Sequence, residues 1–163
     1  MKNGYKNMAV FRTSDVYDEQ GEALESLALS FHSFGGVDCF QGAAYTVDVY
    51  QDNGLLKEVM RRPGEGSVLV VDGHGSLGCT LLGGNMAATL LENNWAGVVI
   101  NGAIRDRGEL SQLPFGVLAL GSNPKRSLKE GAGRENVELH MGGALIRPGA
   151  MIYADFDGVL VER

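Results

Sequence analysis

An arginine and an aspartate, Arg105 and Asp106, follow closely on the apolar run 98–100. In α/β folds, binding sites usually form from residues at the ends of central strands. The guanidinium of Arg105 is a planar fork that holds a carboxylate through two parallel hydrogen bonds. The carboxylate of Asp106 is a hard oxygen ligand, which Mg²⁺ takes together with several waters. From their spacing alone, an ordinary surface ion pair explains the two residues equally well.

A glycine pair at the start of a predicted helix offers a second kind of site. Gly83 and Gly84 precede Asn85 and Met86, and a helical apolar pattern continues to about residue 93. Free backbone N–H groups and the positive end of the helix dipole attract a small anion, such as a carboxylate or a phosphate. Close packing of the glycines with Asn85 as a plain N-cap is the alternative, which the helix start alone favours. These four residues, called the cradle, lie one crossover away from Arg105, so the two loops can face each other.

Two further patterns are better explained by local structure. Residues 73–78 match the G-x-G-x-x-G fingerprint of dinucleotide-binding folds. In those folds, however, the glycine loop leads directly into a helix. A strand is predicted here at 79–82 instead, so His74 within the motif is interpreted as a loop histidine. Asp155 and Asp157 could share a cation on one side of an extended segment, but a hairpin turn explains this pair better.

Length and composition limit the classes of protein that can supply such a site. The chain has 163 residues, 44% hydrophobic and 21% charged, which predicts one globular domain over 1–163. Its 14 Lys plus Arg against 20 Asp plus Glu give a formal charge of −6, which argues against nucleic acid as a partner. Cys39 and Cys79 lack the spacing of a disulfide framework or a zinc site. Without a signal-peptide core or a membrane-length apolar segment, a cytoplasmic protein is expected.

The segments around these motifs predict the elements of an α/β sheet protein. An N-capped helix is expected from Thr13 to about Ser30, and a short helix after Asn53. The strand, helix and strand that surround the cradle form a βαβ unit. The polar stretch 122–136 predicts a mobile loop. Its charges, from Lys125 to Arg134, could close over an anion, but a solvated loop is the more common explanation. Strands are predicted at 43–50, 67–72, 79–82, 98–100, 117–120, 137–140, 143–146, 151–154 and 159–161.

Five segments together resemble the family of the regulator of ribonuclease activity A (RraA) and the related 4-hydroxy-4-methyl-2-oxoglutarate aldolases. The resemblance runs from about Thr13 to the C-terminus, and residues 83–106 are its most specific part. It implies a single-domain, swivelling α/β/α-type sandwich that assembles as a ring-shaped homotrimer or as a hexamer of two rings. The segments are VVDGHGS (70–76), LGGNMA (82–87), NWAGVV (94–99), GAIRD (102–106) and YADFDGV (153–159).

The resemblance also implies roles for individual residues. Aldolases of the family bind pyruvate-like substrates through the backbone that matches the cradle, and hold the substrate carboxylate with the arginine that matches Arg105. They bind the metal through the aspartate that matches Asp106. Active relatives tend to carry an acidic residue in or near the cradle, and Gly83, Gly84 and Asn85 offer none. Relatives that inhibit ribonuclease can lack the aspartate, which this chain keeps.

Two functions follow as hypotheses. The first is a metal-dependent lyase, with Arg105 and Asp106 as its catalytic residues, that cleaves 4-hydroxy-4-methyl-2-oxoglutarate to pyruvate. Mg²⁺ or Mn²⁺ on Asp106 would act as a Lewis acid on this small 2-oxo acid. Oxaloacetate would be decarboxylated through the same pyruvate enolate. The alternative is a protein-binding inhibitor of ribonuclease E, whose acidic surface docks on basic segments of that enzyme and needs no metal.

Overall fold

A computed structural model describes residues 10–163, which form twelve strands and a small number of short helices. Residues 1–9, which belong to the predicted domain and to the N-terminal segment judged to lack a signal peptide, lie outside this range. None of the helices in the described range is long and apolar enough to cross a membrane. The helices are α1 (Thr13–Gln20), a 3₁₀ helix (Gly21–Ala23), α2 (Gly54–Val59), α3 (Gly84–Glu92) and α4 (Arg107–Leu110). The strands are β1 (Leu24–Ser26), β2 (His32–Ser33), β3 (Cys39–Asp48), β4 (Val68–Asp72), β5 (Thr80–Leu82), β6 (Gly97–Ile104), β7 (Gly116–Ser122), β8 (Arg134–Glu135), β9 (Leu139–Met141), β10 (Ala144–Ile146), β11 (Met151–Asp155) and β12 (Gly158–Glu162).

Ten of the strands form one mixed sheet in the order β1-β12-β11-β3-β4-β6-β7-β2, with β5 beside β6 and β8 beside β3. Strands β3, β4, β6 and β7 run parallel, and their register pairs Asp48 with Asp72 and Asp72 with Asn101. The predicted βαβ unit is confirmed, because α3 connects β5 to β6 and β6 lies parallel to β4. The carboxyl ends of the parallel strands therefore meet at one edge, where polar side chains follow them.

Both faces of the sheet are covered, which explains why its central strands are apolar throughout. Every residue of β4 and β6 is buried. Along β4, Leu69 and Val71 belong to a core that includes apolar residues of α2, α3 and α4. Val68 and Val70 belong to a second core, which includes the β9–β10 hairpin. The predicted mixed α/β fold is thus confirmed, and it is dominated by its sheet, with few helices.

The first helix is shorter than the sequence predicts. It ends at Gln20 because Gly21 takes a left-handed backbone conformation, with φ of 55°, and the chain turns through the 3₁₀ helix into β1. Leu24, which seemed to continue a helical pattern, pairs with Glu162 of β12 in an antiparallel edge strand. The predicted continuation of this helix to Ser30 is therefore wrong, because Leu24 belongs to a strand of the sheet.

Asp155 has a structural role. Its carboxylate accepts hydrogen bonds from the backbone N–H and the hydroxyl of Thr13, both at 2.7 Å, and from the N–H of Asp157 at 2.9 Å. The first contact supplies an acceptor to the start of α1, and the last closes the turn between β11 and β12. The hairpin interpretation of this segment is confirmed.

Candidate active site

Arg105 and Asp106 come immediately after β6, at the edge where the parallel strands end. The backbone N–H of Arg105 donates to the carbonyl of Leu82 at 2.9 Å, which ties the end of β6 to the residue before the cradle. Asp106 has a left-handed backbone conformation, with φ of 63° and ψ of 44°. Its Oδ2 accepts a hydrogen bond from the N–H of Gly84 at 2.9 Å. The loop after β6 and the loop before α3 are therefore in direct contact.

Side chains from the loop after β6 and from α4 occupy the space that side chains on the cradle glycines would fill. A Cβ at Gly83 would lie 2.8 Å from Oδ2 of Asp106, and a Cβ at Gly84 would overlap Oε2 of Glu109. Helix α3 begins at Gly84, so the N–H groups of Asn85 and Met86 lie in its first turn and have no acceptor within the helix. The cradle thus presents backbone donors, and the positive end of a helix dipole, beside two carboxylates.

An acidic residue, Glu109, lies beside the cradle, where sequence reasoning found none. It lies on α4, three residues after Asp106, and its carboxylate packs against Gly84. The signal was present in the sequence, because residues three apart at a helix start lie on the same side and acidic residues are favoured there. Glu109 belongs to the helix that follows Asp106 and lies outside the cradle segment.

A pocket of about 140 Å³ opens beside these loops. Its lining includes Arg105, Asp106 and three of the four cradle residues; the fourth, Gly84, contacts Asp106. Lys57 of α2 lines the same pocket, together with Arg126 and Lys129 from the loop after β7. All six residues that the sequence predicts for the site are thus brought together, and their roles in binding and catalysis stay predictions. The three additional cations were not predicted as site residues.

The loop that carries two of these cations, residues 124–131, is called the strap. The sequence predicts a mobile loop here, but in the structure the middle of the loop is anchored to the segment before α2. The N–H of Leu128 donates to the carbonyl of Gln51 at 2.9 Å. The N–H groups of Glu130 and Gly131 donate to the buried carboxylate of Asp52 at 3.0 and 3.1 Å. The strap is therefore held beside the pocket by backbone hydrogen bonds, by Asp52 and by the Arg105 side chain, whose Nη1 donates to the carbonyl of Pro124 at 3.2 Å.

The charge of Asp52 is stabilised by its hydrogen bonds. Burial is the largest single influence and acts to raise the pKa of Asp52. Backbone N–H groups of Gly54, Gly131, Glu130 and Ala132 together outweigh it, so the pKa lies below the ordinary value of 3.8. A carboxylate with a lowered pKa stabilises the fold above its unfolded pKa and loses that contribution as the pH falls through its folded pKa.

We expect the substitution Asp52→Asn to lower the free energy of unfolding at pH 7 by about 2–3 kcal/mol, since hydrogen bonds to a charged acceptor are lost. The difference from the wild type should begin to shrink as the pH falls below the ordinary value of 3.8, where the unfolded chain takes up the proton, and should vanish below the lower pKa of the folded state. Urea unfolding followed by the fluorescence of Trp95, which is buried and the only tryptophan, measures both quantities. The exposed Asp38, changed to asparagine, is the control; equal stability of the Asp52 variant and wild type at pH 7 would contradict the assignment.

A second polar group lies at the ends of β3 and β4. Asp48, Asp72 and His74 place one ligand atom each within 4.8 Å of one another, so they form a group that is compatible with a metal ion. His74, which the sequence predicts as a loop residue, lies in the loop after β4 with its Nε2 2.6 Å from Oδ1 of Asp48. Arg134 donates to Oδ2 of Asp48 at 2.7 Å. Burial acts to raise the pKa of Asp48, but hydrogen bonds from Arg134 and His74 outweigh it and lower the pKa.

The fold and the pocket define an α/β protein with a small polar pocket at the carboxyl ends of its parallel strands, where such folds bind small molecules. Residues 13–161 match the RraA-like family, described as Aldolase/RraA. The chain belongs to this family.

Three similar proteins illustrate the names that relatives carry. The chain is 44% identical to a putative 4-hydroxy-4-methyl-2-oxoglutarate aldolase of Paraburkholderia phytofirmans, over 93% of this chain and 95% of that protein. It is 47% identical to the 4-hydroxy-4-methyl-2-oxoglutarate aldolase of Thermus thermophilus, over 92% and 91% of the two chains. The solved structure of the RNA-processing inhibitor RraA from the same genus superposes with a TM-score of 0.90 at 45% identity, covering 94% of this chain and 93% of that one.

Proposed function

We propose that this chain is an aldolase that cleaves 4-hydroxy-4-methyl-2-oxoglutarate to pyruvate. The names of its relatives support the reaction. The observation that carries the proposal is the hydrogen bond between Asp106 Oδ2 and the N–H of Gly84. This contact places Arg105, Asp106 and the start of α3 around one pocket, with Glu109 beside the cradle. A small 2-oxo acid requires such a combination of groups.

The first task of the site is to hold the 2-oxo acid. Arg105 binds the substrate carboxylate next to the 2-oxo group, and the N–H groups of Asn85 and Met86 donate to the same end of the molecule. Because these donors are fixed by the backbone of α3, they are in place before the reaction begins. The orientation of the substrate therefore follows from elements of the fold.

The residues present fit a divalent cation. Asp106 and Glu109 are both exposed and both contact the cradle, and neither forms a salt bridge with any residue in the range 10–163. Hard carboxylate oxygens of this kind suit Mg²⁺ or Mn²⁺. We assign Asp106 as the ligand, with Glu109 orienting water beside it. When bound, the cation would polarise the 2-oxo group as a Lewis acid.

Cleavage then breaks the bond between C3 and C4 of the substrate. The proton of the 4-hydroxyl group leaves to a water, which we assign Glu109 to order. The electron pair of the broken bond moves towards the 2-oxo oxygen, so C4 becomes the carbonyl carbon of one product and C3 belongs to a pyruvate enolate. Protonation of C3 completes the second pyruvate. Loss of carbon dioxide from oxaloacetate leaves the same enolate, so we also propose oxaloacetate decarboxylation.

The proposal is tested by measuring pyruvate release from 4-hydroxy-4-methyl-2-oxoglutarate and from oxaloacetate. We expect both activities to disappear when a chelator is added and to return as Mg²⁺ or Mn²⁺ is titrated back. Pyruvate release that is unaffected by exhaustive chelation would refute the metal assignment. No release from the first substrate, at any metal concentration, would refute the aldolase.

A second candidate function is inhibition of RNA processing. It is favoured by the similarity to the solved RraA structure, and it uses the acidic surface to contact ribonuclease E. We further propose a homotrimer or hexamer, which the family resemblance implies, and a cytoplasmic location. Capture of ribonuclease E by the purified protein, and the mass of the assembly by light scattering, test these proposals separately from the aldolase.

A further inference from the structure

A row of polar side chains crosses the sheet where β3 and β4 end beside β6. The register places Asp48 beside Asp72, and Asp72 beside Asn101. His74 follows in the loop after β4, and one ligand atom each of Asp48, Asp72 and His74 lies within 4.8 Å of the others. Within residues 10–163, the lining of the proposed active-site pocket includes none of these four. The row is therefore a separate group, which the proposed reaction does not use.

The imidazole of His74 is oriented by a carboxylate on one side. Its Nε2 lies 2.6 Å from Oδ1 of Asp48, and a carboxylate oxygen only accepts, so Nε2 carries a proton. Arg134 donates to the other oxygen of Asp48 at 2.7 Å, so both oxygens of this carboxylate are engaged. In the neutral imidazole, the second ring nitrogen, Nδ1, then has a free lone pair.

Nδ1 of His74 faces a second carboxylate across a gap. Oδ2 of Asp72 is 3.8 Å away, which is too far for a hydrogen bond. A lone pair and a carboxylate oxygen at this distance repel each other unless a cation lies between them. Since Zn²⁺ binds imidazole nitrogen and carboxylate oxygen at about 2.0–2.2 Å, two of its ligands can lie up to about 4 Å apart. The gap therefore has a width that one such ion can bridge.

The carboxylate of Asp72 is buried, and only one of its oxygens is satisfied. The residue is 6% exposed, and its Oδ1 accepts from the N–H of His74 and from Nδ2 of Asn101, both at 2.9 Å. No residue in the range 10–163 donates a hydrogen bond to Oδ2. Oδ1 of Asn101, which is 9% exposed, also has no partner. Because buried charges are paired or bind metals, these oxygens indicate a cation with coordinated water.

The donor set of this row differs from that of the proposed active site. Asp106 offers carboxylate oxygen, which suits Mg²⁺ or Mn²⁺, whereas an imidazole nitrogen suits Zn²⁺ and other transition metals. A histidine that binds a metal almost always donates its other ring N–H to a carboxylate or a carbonyl group. Asp48 accepts in this way from His74.

We propose that Nδ1 of His74 and Oδ2 of Asp72 bind a transition-metal ion, for which Zn²⁺ is the probe, at a site separate from the proposed active site. Asp48 orients the histidine, and Asn101 accepts from a water on the ion. Through Asp48 the site links the loop after β4 to the end of β3. Bound Zn²⁺ therefore stabilises the fold and takes no part in the reaction.

The direct test follows the histidine ring nitrogens by NMR in ¹⁵N-labelled protein as Zn²⁺ is added. Excess Mg²⁺ is present, because it occupies a site made only of oxygen. The Nδ1 resonance of His74 should shift while Nε2 stays protonated, and the exposed His32 and His140 should not change. An unchanged His74 at several equivalents of Zn²⁺, or binding through Nε2, would overturn the proposal.

Calorimetric titration with Zn²⁺ under the same conditions tests the residues. His74→Asn should lose the binding and keep the fold, because asparagine tolerates the left-handed backbone of this position, with φ of 56°. Asp48→Asn should weaken the binding by about 10- to 100-fold, as expected for a partner that orients the ligand. His140→Asn is the matched control, since it removes an exposed histidine outside the group, and should keep full affinity. Unchanged affinity in His74→Asn, or an equal loss in His140→Asn, would overturn the assignment.

Two further measurements separate this site from the aldolase. Asp106→Asn removes the ligand proposed for the active site and should bind Zn²⁺ at His74 as the wild type does, whether or not pyruvate is released. At a hundredfold excess of free Zn²⁺ over its Kd, the midpoint of thermal unfolding should rise by about 5 °C or more. The same rise in His74→Asn would show that Zn²⁺ binds elsewhere.

Discussion

Replacing Asp106 with asparagine is expected to abolish metal-dependent release of pyruvate and to leave the fold intact. Asparagine tolerates the left-handed conformation that this position adopts, and its side-chain oxygen can still accept the hydrogen bond from Gly84. The lost property is the negative charge that holds the cation. Because a Lewis-acid cation supplies several kcal/mol of transition-state stabilisation, we expect kcat/KM to fall by about 100-fold or more.

The measurement is steady-state pyruvate release as Mg²⁺ is titrated, together with thermal unfolding of both proteins. Asp157→Asn provides the control, since Asp157 is exposed and lies in the β11–β12 turn, where its side chain was the other candidate metal ligand. That variant should match the wild type in activity. If Asp106→Asn keeps full activity and an unchanged Mg²⁺ dependence, the cation is held elsewhere, and the group of Asp48, Asp72 and His74 becomes the alternative.

The central part of the fold was predictable because its sequence pattern has one physical explanation. The run at β4 is apolar at every position, and only a strand covered on both faces buries such a run completely. The cradle at the start of α3 and the polar residues after β6 then follow from the geometry of a βαβ unit. The contact between Asp106 and Gly84 is the consequence of that topology.

The first helix was predicted less well because local pattern and long-range pairing conflict there. Leu24 and Leu27 fit a helical stripe, yet both are buried beside β12 in the folded chain. Sequence spacing gives no information on a strand that lies more than a hundred residues away. Pairing with β12 decides the conformation of this short segment. The helix ends at Gly21, which has a positive φ.

The residues that sequence reasoning did not assign to the site share one property. Lys57, Arg126 and Lys129 lie in segments that look like solvated surface, and only the anchoring of the strap brings them to the pocket. That anchoring depends on Asp52, whose contacts with Glu130 and Gly131 span almost half the chain. Glu109 differs, because its distance of three residues from Asp106 made it available to local reasoning.

Replacing Arg105 with lysine is expected to raise KM for 4-hydroxy-4-methyl-2-oxoglutarate by about 10- to 100-fold, with a smaller effect on kcat. Lysine keeps the positive charge but loses the planar fork, and loss of one charged hydrogen bond to a bound carboxylate has an effect of this size. The backbone N–H of residue 105 still donates to Leu82, so the loop keeps its position. The side-chain hydrogen bond from Nη1 to the carbonyl of Pro124, at 3.2 Å, is exposed to solvent, so its loss should affect stability little.

The comparison variant is Arg147→Lys, which changes an exposed arginine after β10 whose nearest carboxylate, that of Glu138, is 3.8 Å away. Full activity is expected there, so any general effect of exchanging arginine for lysine is excluded. An equal loss of kcat and no change in KM for Arg105→Lys would place Arg105 at the breaking bond instead of at the carboxylate. If Arg105 and the cradle bind the same carboxylate, KM should rise and kcat should change less. Backbone donors and a guanidinium at that carboxylate stabilise the ground state and the transition state alike.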